Sequence, residues 1–269
     1  MRALCARHGV TRSGFYSWRR RCLSPHDRYD TALAMRICAV FEASEGTYGS
    51  PRIHAALQQA GTRVSCKRVA RLMQKGGMKG RAARIYRRTV GTRVFFSAIP
   101  NRTLDLATSA PNQVWVGDVT YLKCANQWRY LAVVMDRHSR RVLGWSLKTT
   151  RELSLTLAAL NQALRRRRPI QGLIFHSDRG PEFAAYAFRT RLAALGITQS
   201  MKRPRELGDN AFIESFFHSL KADLIHGRTF DTDARLRSAV DAYIRMYNRS
   251  RLHSGLGYRS PIDYERTAA

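Results

Sequence analysis

Trp115-Val116-Gly117-Asp118-Val119-Thr120-Tyr121-Leu122 decides the fold. Val114, Val116, Asp118, Thr120 and Leu122 alternate with Trp115, Gly117, Val119 and Tyr121, the period-two pattern of a strand rich in β-branched and aromatic residues. An aspartate inside such a strand is disfavoured, because an unpaired buried charge is costly; its carboxylate is either satisfied by partners or held for use. A second aspartate, Asp178, follows the apolar run Leu173-Ile174-Phe175 and precedes Arg179-Gly180-Pro181. That puts it just past the carboxyl end of a buried strand, where open α/β sheets gather their ligands. Pro181 suits the first position of a helix through Phe183, Ala187, Phe188 and Leu192.

The third carboxylate is on a helix. Asp209 or Asn210 is a plausible N-cap, and Ile213, Phe216, Leu220 and Leu224 recur at helical spacing. At about 100° per residue, Asn210, Glu214, Phe217 and Lys221 form an adjoining stripe. Fixed carboxylate oxygens of this kind suit hard divalent cations.

Between these points, 130–136 (YLAVVMD) and 141–147 (RVLGWSL) read as strands, which with the first make an antiparallel meander. A helix over about 152–166, the strand before Asp178, its following helix and a short strand near 197–200 complete the order. The expected fold is α/β: a ribonuclease-H-like mixed five-stranded sheet with flanking helices, preceded by a small all-α helix-turn-helix-like region.

Four motifs in order, W-x-x-D-V-T-Y (115–121), H-S-D-R-G (176–180), D-N-A-x-x-E-S (209–215) and the tail Y-N-x-x-R-x-H with Y-x-S-P (247–253, 258–261), resemble the second reading frame of insertion-sequence transposases of the "IS-three" type. These form a branch of the integrase-core superfamily. Thirty-five residues separate Asp178 from Glu214, the interval of that family. Where many such transposases continue H-S-D-R-G with Ser-Gln-Tyr, this chain has Pro181-Glu182-Phe183. The resemblance implies that Asp118, Asp178 and Glu214 are catalytic metal ligands and that Asn210 and Lys221 contact the DNA end. It implies two Mg2+ ions per active site, with Mn2+ able to substitute, about 3.5 to 4 Å apart: one activates the attacking oxygen and the other stabilises the leaving oxygen. Water would first free a 3′-hydroxyl at the element end, and that hydroxyl would then attack another strand. The implied partners are double-stranded DNA, a second copy of the chain (at least a dimer on DNA) and the upstream-frame product as fusion or partner. The implied location is the bacterial cytoplasm, at the nucleoid.

Composition points to the same partner independently. The 269 residues carry 47 Lys+Arg against 19 Asp+Glu, a net charge of +28, with no apolar run long enough to cross a membrane. Basic residues outnumber acidic ones 21 to 5 over 1–110 and 26 to 14 over 111–269, so charge is densest in the N-terminal part. Charge alone does not separate DNA binding from RNA binding or mere solubility.

The expected domains are a helix-turn-helix-like piece over 1–24, a helical DNA-binding domain over 30–90, a basic linker over 91–111 and the catalytic core over 112–269. In the first, Thr11 caps a helix on which Trp18 packs. In the second, 47–53 (TYGSPRI) opens a helix through Leu57 and Val64-Ser65 caps another over about 67–74, bearing Arg68, Arg71 and Lys75. Basic residues on one helix face are usually just solvated. The resemblance favours DNA contact by these three, and the basic stretch with Arg84, Arg87 and Arg88 is expected to track phosphates.

Five scattered cysteines, an odd number, argue for a reducing compartment. Cys5-x2-His8 with Cys22-x3-His26 has zinc-like spacing, which the small-residue helix at Cys5 and the intervening Pro25 weigh against. His176 either orients a carboxylate, contacts DNA or is structural, and Asp136 reads as a strand-end aspartate. Two rivals have other mechanisms: a tyrosine recombinase, suggested by H-x-x-R at His138 to Arg141, and a non-catalytic DNA-binding regulator with an inactive integrase fold.

Overall fold

A computed structural model of the chain describes residues 1–20, 24–81, 99–168, 171–204, 206 and 208–268. It divides into two units, Met1–Arg81 and Ala82–Ala269.

The first unit is all helical: α1 (Arg2–Arg7), α2 (Arg12–Arg19), α3 (Pro25–Ala43), α4 (Ser50–Gln59) and α5 (Cys66–Lys75). Thr11 caps α2 by accepting from the Gly14 amide, and Ser65 caps α5 by accepting from the Arg68 amide. Trp18 is 69% exposed and meets only the edge of the apolar set through Phe15, so it is not the packing residue expected of it. The longest helix of the unit, α3, was not anticipated. Its start is written in Ser24-Pro25-His26-Asp27, where Ser24 and Asp27 form a reciprocal capping box with proline in the first turn. Leu33 and Ile37 of α3, Ile53 and Leu57 of α4 and Val69 and Leu72 of α5 are among the buried apolar residues of this unit.

The second unit is a three-layer α/β domain. It runs β1 (Val114–Cys124), β2 (Gln127–Asp136), β3 (Val142–Lys148), α6 (Leu153–Arg166), β4 (Ile174–Ser177), α7 (Pro181–Ala184), α8 (Tyr186–Ala194), β5 (Thr198–Met201), α9 (Ala211–Leu220), a π-helical turn Lys221–Ile225, α10 (Asp233–Arg249), a 3-10 turn Ser254–Leu256 and α11 (Pro261–Ala268). The five-stranded sheet has the order β3-β2-β1-β4-β5. The first three strands are the antiparallel meander, and β4 and β5 add in parallel. Ala125 and Asn126 both have positive φ, giving the two-residue hairpin turn that matches strand twist.

Alternation along β1 sorts its side chains into two cores. Val114, Val116, Leu122 and Cys124 pack with Ile213, Phe216, Leu220 and Val240 of α9 and α10. Trp115 and Val119 pack with Leu155 and Leu160 of α6 and with Phe183 and Phe188. Each fully buried leucine, isoleucine or phenylalanine contributes about 1.5–3 kcal/mol relative to exposure, so α9 is held to β1 by its Ile213-Phe216-Leu220 stripe. Gly117 is required for packing: a Cβ there would lie 2.5 Å from the Phe175 ring.

Residues 99–111, within the stretch read as a linker from the sequence, lack regular structure, yet 100–102 run along the open edge of β5. The Met201 amide donates to the Pro100 carbonyl (3.3 Å), the Arg102 amide to Ser200 Oγ (2.9 Å) and the Arg179 guanidinium to the Ile99 carbonyl (3.3 Å). Covering an edge in this way removes a template for unwanted strand pairing. No helix among the described residues is long and apolar enough to cross a membrane.

Candidate active site on β1 and at the end of β4

Asp118 is buried in mid-β1, opposite Val133 of β2, on the face shared with α9. Its Oδ1 accepts from the Val119 amide at 2.8 Å. The parallel ladder between β1 and β4 ends at the pair Gly117 and Ser177. Asp118 is the next residue of β1 and Asp178 the first residue beyond β4, so strand register brings the two aspartates to the same point, where the ladder opens. Asp178 Oδ1 accepts from the Gly180 amide at 3.0 Å, which fixes the turn into α7.

A feature missed from the sequence lies beside this pair. Glu182 is buried and takes two hydrogen bonds from Arg151 on Oε1, at 2.9 Å from Nε and 2.7 Å from a terminal nitrogen. Its Oε2 is buried with no hydrogen-bond partner among the described residues. Burial disfavours the Arg151 cation, but the hydrogen bonds it donates to Glu182 and then the charges of Glu182, Asp178 and Asp118 more than offset it, raising its pKa. Gly180 lets these carboxylates approach: a Cβ there would lie 2.7 Å from Glu182 Oε1 and 2.9 Å from Asp178 Oδ1. The signal available in sequence was Gly180 with Glu182 two residues on; their partner Arg151 is too distant along the chain to be inferred.

Glu214 sits in the first turn of α9, half-buried, on the helix packed against the Asp118 face. Phe217, expected on the polar stripe with it, is buried in the core. Among the described residues no three Asp, Glu, His or Cys side chains converge to hold a metal ion. The structure therefore pairs the two aspartates by strand register and places Glu214 on the adjacent helix, without closing the three into one ligand set. The donors fit a hard divalent cation, being carboxylate oxygens with no soft ligand, and Arg151 supplies positive charge beside them.

Asn210 occupies the N-cap position of α9 but makes no capping bond, and both its amide atoms are buried without a partner among the described residues. Lys221 Nζ lies 4.5 Å from the centroid of the Tyr121 ring. Asp209 is an anchor: it accepts from Asn101 Nδ2 (2.8 Å) and from the Arg203 amide (2.8 Å) and guanidinium, and the Arg203 hydrogen bond holds its carboxyl well below the usual range. Asp136 is a strand-end aspartate, accepting from the amides of Asn112, His138 and Ser139, and burial pushes its pKa up. The H-x-x-R segment lies on the turn after β2, with Ser139 buried against Asp136 and Glu265.

His176 is buried on β4, with Nδ1 2.9 Å from Ser200 Oγ and 3.4 Å from Thr103 Oγ1. Burial lowers its pKa from 6.5 to about 4, against the opposing charge of Asp209. As pH falls through this window the unfolded chain takes up the proton first. The stability tied to a neutral His176 is thus complete above 6.5 and lost on descending to 4, in total about 3 kcal/mol. Chemical denaturation of wild type and His176→Gln at pH 7 and pH 4 is expected to show the variant losing less stability by roughly that amount; equal losses would remove His176 as the cause.

In the helical unit, Arg68 and Arg71 of α5 both bind Asp30 of α3, each at 2.7 Å, and the Arg68 guanidinium lies over the Tyr29 ring. Arg68 thus ties α3 to α5, while the Arg71 side chain stays 59% exposed. Lys75 is exposed at the end of α5. Arg84, Arg87 and Arg88 lie outside the described residues, as does Cys22 of the zinc-like spacing; Cys5 of that spacing is buried and His8 exposed.

The integrase core domain family matches residues 108–206, a second integrase core domain family matches 214–268, and the HTH-like domain family matches 28–86. Transposase InsF of insertion sequence IS3A from Escherichia coli K12 is 36% identical over 270 residues, covering 98% of this chain and 93% of that protein. The transposase of insertion sequence element IS904 from Lactococcus lactis is 35% identical over 236 residues, covering 87% and 93%. Among solved structures, a chain of the simian T-cell lymphotropic virus intasome aligns with a TM-score of 0.50 and 16% identity over 81% of this chain and 74% of that one, a likeness of fold. Sheet order, motif spacing and near full-length identity agree: the chain belongs to the integrase-core transposases of IS3-type insertion sequences.

Proposed function

We propose that the chain cuts DNA at the ends of an insertion sequence and joins the freed 3′-hydroxyl to a second DNA strand, using Asp118, Asp178 and Glu214 to hold divalent cations. The observation that carries this is the position of Asp118 and Asp178, each one residue beyond the last rung of the β1–β4 ladder. A bound Mg2+ pair would supply charge stabilisation at the reacting phosphate and an activated attacking oxygen. Asp118 and Asp178 would hold it from the sheet, and Glu214 would complete the set from α9. Arg151, fixed by Glu182, holds positive charge beside the aspartates and so limits their mutual repulsion. Asn210, at the N-cap of α9 with an amide buried without a partner among the described residues, and Lys221, at the start of the π-helical turn that follows α9, would orient the DNA end. In the helical unit, Arg71 and Lys75 bind phosphates of the duplex, while Arg68 serves the packing of that unit. Synapsis of two DNA ends makes a dimer the smallest working assembly.

The test is a strand-transfer assay with the full chain and labelled duplexes carrying the sequences that flank its own reading frame. Nicking and joined products are expected with Mg2+ or Mn2+ and none with EDTA. Tight duplex binding with no cleavage in either metal, with or without the upstream-frame product, would favour the non-catalytic regulator.

A further inference from the structure

The hairpin that carries Asp118 also raises two large aromatic rings into solvent. Tyr121 is 55% exposed and Trp128 53% exposed. Their rings meet edge to face, 5.0 Å apart at 84°, and their strand positions, Tyr121 opposite Tyr130 and Lys123 opposite Trp128, put both on one face of the hairpin. Beyond Gly117 the ladder from β4 has ended, so this part of β1 has a strand partner on the β2 side only, among the described residues. Lys221 Nζ stands 4.5 Å from the Tyr121 ring centroid, and exposed Lys123 is the cross-strand neighbour of Trp128.

Exposed, adjoining aromatic rings are uncommon on a surface without a ligand. The chemistry around these two narrows the choice. A purely apolar partner would gain nothing from flanking lysines, and a bare phosphate would gain nothing from the rings. A nucleobase with its attached phosphate uses both, stacking on the ring while the ammonium groups meet the anion. Inside a duplex both faces of each base are covered by its neighbours, so only an unpaired or splayed base can take the position. Tyr121 is three residues from Asp118 on the same strand, about 10 Å along it or about three base steps of DNA, and strand alternation turns its ring to the opposite face; Lys221, the residue after the helix that bears Glu214, reaches that ring past the edge left open by β4.

We propose that Tyr121 and Trp128 form a stacking platform for an unpaired nucleobase within about three nucleotides of the phosphodiester presented to Asp118, with Lys123 and Lys221 on the adjoining phosphate. This rests on the reading above that the chain acts on DNA ends, and the geometry supplies what that reading lacks: a place for the strand to be held open beside the site.

The test is equilibrium binding in EDTA, so that no chemistry intervenes, with three fluorescein-labelled probes of one sequence. They are a blunt duplex, the same duplex with a three-nucleotide unpaired extension, and the extended duplex with abasic residues in the extension. Wild-type full chain is expected to bind the extended duplex most tightly. Trp128→Ala and Tyr121→Ala should each weaken that probe by about five- to hundredfold, the span of one lost base stack, and change the other two by less than about twofold. Trp128→Phe should retain most of the preference, which a loss of folding would not allow; unchanged melting temperatures of these exposed-site variants provide the same control. Equal losses on all three probes, or no loss on the extended one, would overturn the platform. Either result, with strand transfer in Mg2+ intact, would leave the DNA-transfer reading standing.

Discussion

Asp118→Asn is expected to abolish strand transfer, with the rate falling by at least about 10²–10³-fold, while duplex binding stays within about twofold of wild type. The reasoning starts from position. Asp118 is held in the ladder to β2, and the residue before it is paired with β4 as well, so Asn fits the same space with the backbone unmoved. It removes one full negative charge from a donor set whose chemistry suits a hard cation. Losing a single preorganised electrostatic contact at a reacting centre costs about 10²–10³ in rate, and loss of a ligand should cost at least as much. In the proposed reading, duplex affinity comes mainly from phosphate contacts of a basic surface, in a chain with 47 Lys and Arg against 19 Asp and Glu, and not from Asp118. A readout independent of catalysis belongs with it. Mn2+ should raise the melting temperature of wild type, because a ligand that binds only the folded state stabilises it. The shift should shrink in Asp118→Asn and in Asp178→Asn. Full strand transfer by Asp118→Asn in Mg2+ would show that the aspartate pair is not the site of chemistry.

The parts of the fold that sequence revealed are those in which one local rule dominates. β1 is legible because β-branched and aromatic residues alternate without interruption, and that same alternation exposes Asp118 as a misfit. Asp178 is legible because an apolar run stops abruptly before Arg179-Gly180-Pro181, and Glu214 because Ile213, Phe216 and Leu220 repeat at helical spacing. α3 escaped because Leu33 and Ile37 are its only fully buried residues, too few to establish a period; the capping box at Ser24 and Asp27 was the usable sign. The pairing of Arg68 with Asp30 was hidden because a basic residue on a helix face carries no mark of its partner, and Asp30 lies 38 residues earlier. The Arg151–Glu182 pair, 31 residues apart, was hidden for the same reason. Nor does apolar spacing distinguish α-helix from the π-helical turn at Lys221–Ile225, since Leu220 and Leu224 satisfy either.

That π-helical turn leads to the second large effect, this time on stability. Asp223, within the turn, is buried; it accepts from the Tyr243 hydroxyl of α10 at 3.0 Å and is paired with Arg251, just beyond the end of α10. The Arg251 and Asp223 side chains are only 3% and 4% exposed. Burial, first, and the neighbouring carboxylate push the Tyr243 phenol well above its usual range, so it remains a hydrogen-bond donor. Arg251→Ala would leave a buried carboxylate beside Tyr243 without the Arg251 cation, a change that costs about 3–5 kcal/mol. Replacing both partners with apolar residues of similar size, Asp223→Leu with Arg251→Met, should recover most of that loss, because the desolvation of two charges disappears along with their attraction. Urea denaturation of the two single variants and the double variant is the measurement, and its signature is strong non-additivity. A loss below about 1 kcal/mol in Arg251→Ala would show that the pair is not what fixes the turn. The wider consequence follows from α9 leading directly into Lys221–Ile225. The pair anchors the carboxyl end of the helix that bears Glu214, so in Arg251→Ala strand transfer should fall along with stability, and in the apolar double variant it should return with it.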